Sequence, residues 1–361
     1  HEVIFTSGGT ESDNTAILSA LETHREKNEA IVSAVEHPAV LALVQHLEKY
    51  RGIVVRTVPV DSRGRLDLDA YRAALGPNTA IASIMWANNE TGVIFPVAEL
   101  AALAHEAGAL FHTDAVQAAG RVPIDLRTVP VDMLSLSGHK LHGPKGIGAL
   151  YVRKGVRFHP FVRGGKQERG RRAGTENVPG MVGLGKAAQL ALARLPAQAA
   201  LAQLRDRFEA GVLERIGGCF VAGGMSGRLP NTSNIVFDAA LGEAILSELD
   251  KAGIAASSGS ACASGSTEPS HVLRAMKVPY TSALGAIRFS FSHGNTAADV
   301  DRVLEVLPAI VARAREVSGF APALEGMDSS GASLIKQEAH GKMDRAEEGG
   351  AEGVAAAGGI A

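Results

Sequence analysis

The sequence predicts an α/β fold, with a mostly parallel sheet in a large domain followed by a smaller α/β domain, and three observations predict it. Short β-branched or apolar runs alternate with helix-patterned segments through the first half of the chain. Many of those runs are apolar on both faces, as in parallel strands covered by helices rather than in a sheet with one wet side. Beyond residue 183 the pattern changes to Ala/Leu/Gln/Arg-rich helix and then to a second, shorter set of strands and helices.

The elements justify this in order. VIFTS (residues 3–7) reads as a buried strand, and ESDNTAILSALETHRE follows with Ile17, Leu18 and Leu21 at helical spacing. AIVSAV (30–35) precedes a helix that begins near Pro38 and carries Val40, Leu43, Val44 and Leu47. VVRTVPV (54–60), the helix-like DLDAYRAAL, AIASIMW (80–86), AELAALAHEAG, ALFHTD (109–114) and MLSLSG (133–138) continue the alternation. GIGALYVR (146–153) comes one turn later and reads as an edge partner. The uneven connections give no eightfold repeat, so an open layer is expected rather than a barrel. Residues 183–215 form a long helix or helix pair. After them SNIVF (233–237), EAILSELDKAG, IAASSG, HVLRAM, AIRFSF (286–291) and TAADVDRVLEVLPAIVARAREV make a unit with two or three short strands. After about residue 319 large apolar residues become scarce and disorder is expected. The expected organisation is a large, ligand-binding domain over 1–190, a smaller domain over 191–318 that carries Cys262, and a tail over 319–361.

Composition excludes several functions. A formal net charge of -2, with basic residues spread along the chain, leaves no footprint for nucleic acid. No apolar run approaches the roughly 18 residues of a membrane span. Two separated cysteines, Cys219 and Cys262, make neither a disulfide framework nor a Cys-rich metal site, and a reducing, cytoplasmic setting is the expectation.

In open α/β sheets ligands gather outside the carboxyl ends of the strands. The polar residues that follow the apolar runs are Ser7 to Thr10, His37, Asn88 and Asn89, Asp114 with Gln117, and Ser137 to Lys140, so they can share one crevice. SGGTES (7–12) lies between a strand and a helix, where amides can hold phosphate; Gly-Gly-Thr is equally a loop with Thr10 as helix cap. Its spacing matches neither a nucleotide-triphosphate loop nor a dinucleotide fingerprint. Asp114 ends an apolar run, where a carboxylate needs a cation such as a protonated ring nitrogen, unless it merely caps AVQAAG. Lys140, in SLSGHKLHGPKG, supplies an amine that can form an imine with a carbonyl cofactor, and desolvation would favour that nucleophile. A surface lysine would explain neither His139 nor Gly138, Gly143 and Gly146.

Together Lys140 and Asp114 point to pyridoxal 5'-phosphate. His37 could lie over the ring and shuttle a proton, or be a loop histidine before a proline. Asn89 and Gln117 can hydrogen-bond the ring's phenolic oxygen, and Thr175, in GKQERGRRAGTEN, can bind phosphate, although a basic loop is usually a solvated surface. Cys262 sits in SSGSACASGS, too small and polar to pack a core cysteine, and suited to carrying a thiol to a bound substrate. Cys219, before a short β-like run, reads as structural or incidental. Arg288, in AIRFSF, could fork onto a carboxylate or extend from a sheet edge.

TSGGTESDN, VEHPAV, WANNETG, HTDAVQAAG, SLSGHKLHGPKGIGALYVR, ERGRRAGTEN, SSGSACASGSTEPSHVLRAM and IRFSFS resemble, in order, the cysteine desulfurases of aminotransferase class V, nearest the nitrogen-fixation NifS type. The resemblance runs over about residues 3–317. It implies a fold-type I pyridoxal-phosphate enzyme, a homodimer with active sites at the subunit boundary. It further implies that Gly9, Thr10, Ser137, Gly138 and His139 surround the phosphate, and that Thr175 reaches the phosphate held by the other subunit. Asn89 and Gln117 would touch the cofactor, Asp114 its ring nitrogen and Lys140 its carbonyl carbon, while Arg288 would hold the substrate carboxylate. Lys140, aided by His37, would move the α-proton of L-cysteine, and Cys262 would take the sulfur as a persulfide, leaving alanine. An iron–sulfur scaffold would receive that sulfur, with Cys262 a transient cluster ligand shared with it. Family members carry a further segment before the first strand, with an Asn-Asn-Ala-Thr-like stretch, so an incomplete chain is expected. A selenocysteine lyase or aminotransferase of the same fold, and a non-catalytic sulfur-transfer partner, are the alternatives.

Overall fold

The computed structural model describes residues 1–258 and 268–320. Cys262 and all but the first two residues of the expected tail lie outside the described residues.

The first half alternates as expected: β1 (Val3–Thr6), α1 (Gly9–Thr23), β2 (Glu29–Ser33), α2 (Pro38–Arg51), β3 (Val54–Val58), α3 (Leu68–Ala74), β4 (Thr79–Ser83), α4 (Val97–Glu106), β5 (Leu110–Asp114), β6 (Met133–Ser137) and β7 (Gly148–Val152). Pro at the first turn and Gly52 in the left-handed region bound α2, and Asp67 caps α3 through Ala70 N. The strand expected over residues 80–86 ends at Ser83, although Ile84 and Trp86 continue to donate to His112 and Asp114 of the neighbouring strand.

These strands form one sheet in the order β1-β7-β6-β5-β4-β2-β3, with β3, β2, β4, β5 and β6 mutually parallel. The segment read as an edge partner is not at the edge. β7 runs antiparallel between β6 and β1, and β1 takes the edge, because the short turn after β6 permits only a hairpin return. The alternation pattern reports burial, and Gly148 to Val152 are buried enough to read either way.

After α5 (Gln167–Gly170), the helical stretch resolves into a pair, α6 (Val178–Arg194) and α7 (Gln198–Arg215), joined by a 3-10 turn at Pro196. The remainder is β8 (Cys219–Val221), β9 (Thr232–Phe237), α8 (Gly242–Lys251), β10 (Ser257–Ser258), α9 (His271–Ala275), α10 (Tyr280–Ala283), β11 (Ala286–Ser290) and α11 (Ala297–Ser318). Its strands make a second, antiparallel sheet in the order β10-β11-β9-β8, one strand more than the periodicity suggested.

One apolar cluster lies on a face of the large sheet (Ile84, Phe111, Leu134) and continues without a break into Val236, Val272 and Ala286 beside the second sheet. A second apolar cluster packs α7, α8 and α11 on the small sheet, and a third lies under α1 and α2. Between α7 and the loop before β9, Glu209 and Arg228 form a fully buried bidentate pair, at 2.9 and 2.7 Å. Removing one partner strands the other charge in the core. Glu209→Ala is expected to lower the unfolding free energy by about 3–5 kcal/mol, read as a fall in the urea midpoint, whereas an apolar replacement of both partners should cost far less.

Candidate active site

The parallel strands all end on one side of the sheet, and β1 rejoins that direction because β7 alone is reversed. Residues just beyond β1, β2, β4, β5 and β6 therefore meet at a cavity of about 270 Å³. Gly9, Thr10, His37, Asn89, Asp114, Gln117, Ser137, His139 and Lys140 line it, and β11 of the second sheet contributes Arg288.

Asp114 forms one wall. It is 7% exposed, and its Oδ1 accepts from Val116 N at 2.8 Å. Burial pushes its carboxyl up to about 6, against the pull of that hydrogen bond and of the Lys140 charge. A carboxylate so placed is waiting for a cation. Behind it lies a polar layer spanning three strands and α1. Ser83 Oγ and Ser135 Oγ sit 2.8 Å from His112 Nδ1 and Nε2, and Asp13 Oδ1 lies 3.6 Å from the same Nε2. Burial drives His112 down to about 3, so its ring is neutral. Asp13, also lining the cavity, is raised well above the usual carboxylate range by burial and by the Asp114 charge, which leaves Asp114 the anion of the two.

Lys140 lies on a 3-10 turn, Gly138–Leu141, that His142 closes in the left-handed conformation (φ 61°). Arg121 holds this turn against the one after β5, donating to Gln117 O at 2.7 Å and Lys140 O at 3.4 Å. His37 caps α2: its Nδ1 accepts from Ala39 N at 3.1 Å, so in the neutral ring the proton sits on Nε2. Burial, then the charges of Lys140 and His271, lower its pKa and favour that neutral ring.

The start of α1 forms the other end. Gly9 admits Val116, since a Cβ there would stand 2.9 Å from Val116 Cγ2, and Ser137 Oγ bonds His139 Nδ1 at 2.8 Å. An adjoining recess adds Lys145 beside Gly9, Thr10, Ser137 and His139, with the Glu11 carboxylate on its wall engaged by Arg172 at 2.8 Å; the amine and hydroxyls suit a phosphate. The helix cap is Gly8 rather than Thr10, which leaves the Thr10 side chain in the cavity.

Several expected residues are elsewhere. Gly138 does not line the cavity: its N–H donates to Ile147 O, and a Cβ would collide with Ile147 Cγ2 at 2.8 Å, so it serves the turn. Thr175 is exposed and outside the cavity. Asn88 is spent on structure, donating to Val35 O and accepting from Glu90 N and Thr91 N. Cys219 is buried, donates to Ile216 O, and is pushed up to about 11 by burial, as a structural cysteine should be. Cys262, both as nucleophile and as transient cluster ligand, lies outside the described residues. Among the described residues no group of three or more His, Cys, Asp or Glu side chains could hold a metal. No described helix is long and apolar enough to cross a membrane.

Asp13, Arg121 and Lys145 escaped the sequence reading. Asp13 had a signal: it shares a helical stripe with Ala16, Ile17 and Ala20, and an acid on the buried stripe of a helix needs a reason. Arg121 carries none, since both contacts are to backbone carbonyls, one in its own turn and one on the turn of Lys140.

The model of the family described as Aminotransferase class-V matches residues 1–303. A protein of Gluconacetobacter diazotrophicus described as cysteine desulfurase is 68% identical over 321 residues, covering 89% of this chain and 80% of the relative. The cysteine desulfurase NifS of Azotobacter vinelandii is 56% identical over 320 residues, covering 88% and 79%. A solved structure titled as a NifS-like protein superposes with a TM-score of 0.80 at 37% identity, covering 86% of this chain and 83% of that one.

Glu36, beside His37, generates a pH prediction. It is fully buried, accepts from Ser33 Oγ and Met85 N, and burial raises it from an ordinary 4.5 to about 8. The native state thus holds this proton more tightly than the unfolded chain, so stability is withdrawn as pH rises from about 4.5 to 8 and is level above that. Glu36→Gln, which cannot ionise, is expected to match the parent near pH 5 and to exceed it by pH 8 in urea midpoint; a pH-independent difference would contradict this assignment.

Proposed function

This chain belongs to the class-V aminotransferase family and is a pyridoxal-phosphate-dependent cysteine desulfurase, and we propose that it converts L-cysteine to L-alanine through Lys140, His37 and Cys262. The single observation that carries the residue assignment is the buried Asp114 carboxylate sharing one cavity with Lys140. An anion that burial alone makes costly fits a protonated ring nitrogen, and the donor set at the start of α1 fits a phosphate. These residues therefore suit pyridoxal phosphate: Lys140 for its carbonyl carbon, Asp114 for its nitrogen, Gln117 and Asn89 for its phenolic oxygen, and Gly9, Thr10, Ser137 and His139 for its phosphate. When bound, the cofactor supplies an electron sink for the carbon skeleton of the amino acid.

The protein's own groups do the rest. Arg288 holds the substrate carboxylate and so orients the Cα–H bond. Lys140 takes the α-proton, and His37, neutral with its proton on Nε2, exchanges protons with the reacting carbons. Cys262 thiolate attacks the substrate sulfur: an S–S bond forms, the substrate C–S bond breaks, and its electron pair stays on the carbon that is protonated to give the methyl of alanine. The persulfide then passes to an acceptor thiol, in our reading on an iron–sulfur scaffold, with nitrogenase assembly the setting favoured by the NifS-type motifs; Cys262 would be a transient cluster ligand there.

We place the boundary between the large and small domains near residue 190, toward the end of α6 (Val178–Arg194). A homodimer is proposed on α6, whose Val178 and Val182 are 58% and 69% exposed, and the exposed Thr175 just before α6 is the residue that would meet the partner's phosphate in that reading. A reducing cytoplasm is the compartment in which a catalytic thiol and a buried free Cys219 both persist.

The test is alanine and sulfide release from L-cysteine with a thiol reductant. The parent chain is expected to release them in equal amounts, and Cys262→Ser and Lys140→Ala neither. His37→Ala should lower kcat by about 100- to 10,000-fold while retaining bound cofactor. Equal turnover by Cys262→Ser would move the reaction to a lyase that needs no thiol. Turnover of selenocysteine alone would make the chain a selenocysteine lyase, and cofactor with no turnover of either substrate would favour a sulfur-transfer partner.

A further inference from the structure

Three contacts cross from the second sheet to the cavity rim within a few residues of one another. Arg288 Nη1, on β11, donates to Asn89 O at 3.0 Å. His271 Nε2, at the first turn of α9, faces Glu36 O at 2.9 Å, and because a carbonyl can only accept, that nitrogen carries the proton. Ser270 Oγ, the cap of α9, donates to Glu90 Oε2 at 2.5 Å. Their receiving residues adjoin cavity residues: Glu36 precedes His37, and Glu90 follows Asn89.

Glu90 is the member with most at stake. The residue is 1% exposed, its backbone is pinned by donation from its own N–H to Asn88 Oδ1 at 2.9 Å, and its Oε1 is buried with no hydrogen-bond partner. A buried carboxylate is tolerated only where cations or donors meet it. Burial raises the Glu90 carboxyl above the ordinary carboxylate range, and what opposes this is the Ser270 hydrogen bond, then His271 and Arg288, every one of them from the second-sheet side. Its burial therefore depends on the junction staying closed, and the junction is where Arg288 enters the cavity.

We infer that Glu90 is a positioning residue, which fixes Arg288 and the start of α9 against the cavity rim and so sets how tightly the carboxylate of the amino acid substrate is held. The inference rests on the reading of Arg288 as the carboxylate ligand. Glu90 does not line the cavity; it acts on Arg288 through the adjoining Asn89 carbonyl, which Arg288 Nη1 meets, and on α9 through the Ser270 hydrogen bond.

The test uses the holoenzyme and two readouts: the KM for L-cysteine against kcat, and the equilibrium dissociation constant of L-alanine, which carries the same carboxylate and undergoes no desulfuration. A hydrogen bond to a charged group corresponds to about tenfold or more in an equilibrium constant, so Glu90→Ala is expected to raise both KM and the alanine constant about tenfold, with a smaller change in kcat and cofactor retained. Ser270→Ala should shift both in the same direction, the double variant should be no worse than Glu90→Ala, and Glu90→Gln, which keeps an acceptor for Ser270, should recover part of the loss. If Glu90→Ala fails to fold, Ser270→Ala alone decides. Unchanged alanine binding in the folded variants, while Arg288→Lys weakens it, would overturn the inference. Unchanged binding in Arg288→Lys as well would instead overturn the carboxylate assignment on which it stands.

Discussion

The site is organised around the cost of burying one negative charge. Asp114 ends the central strand β5, covered by α1 on one side and flanked by β4 and β6, where water cannot solvate it. Its neighbours are arranged to leave that charge single. His112 is kept neutral by burial and committed to two serines, and Asp13 is pushed toward its uncharged form. What remains is an anion facing a cavity whose other walls offer an amine and a phosphate-sized recess. In the proposed reading a protonated ring nitrogen would answer that unfavourable term, and cofactor affinity would then be linked to the charge state of Asp114.

The parallel strands and their polar ends were legible because two-sided burial and a change from apolar to polar are both written locally. That is why nine of the expected cofactor and catalytic residues, together with Arg288, line one cavity. Partners distant in sequence were not legible. Arg121 acts on two backbone carbonyls, and the Glu209–Arg228 pair is a contact between a helix and a loop 19 residues away, each residue looking like an ordinary charge. Gly138 lies outside the cavity for a local reason: a glycine beside a site residue invites a ligand reading, whereas the turn needs it to clear Ile147 and Pro144.

Arg288 shows how a second sheet can complete a site built on the first. Its strand pairs with β9 and β10, yet its guanidinium reaches the backbone of Asn89 on the large sheet's side. The apolar cluster that crosses the junction, from Phe111 to Val236 and Val272, supplies the non-directional attraction, and the polar contacts at the rim fix the register. A junction of apolar contact alone would allow a slide of the kind that would move Arg288 relative to the rest of the cavity.

The placement of β7 explains why the phosphate end exists at all. Lys140 must sit at the carboxyl end of β6, and the chain then turns back within a few residues, which only an antiparallel neighbour can accept. That reversed strand would separate the site from any further parallel strand unless the next one reversed again. β1 does so, and its direction brings Ser7 to Thr10 back to the same side as Ser137 and His139. The crossing is tight: a Cβ at residue 148 would stand 2.7 Å from the backbone of Gly8, so Gly148 lets the loop lie across the hairpin. A segment that read as an edge partner is thus the piece that joins the turn of Lys140 to the loop before α1.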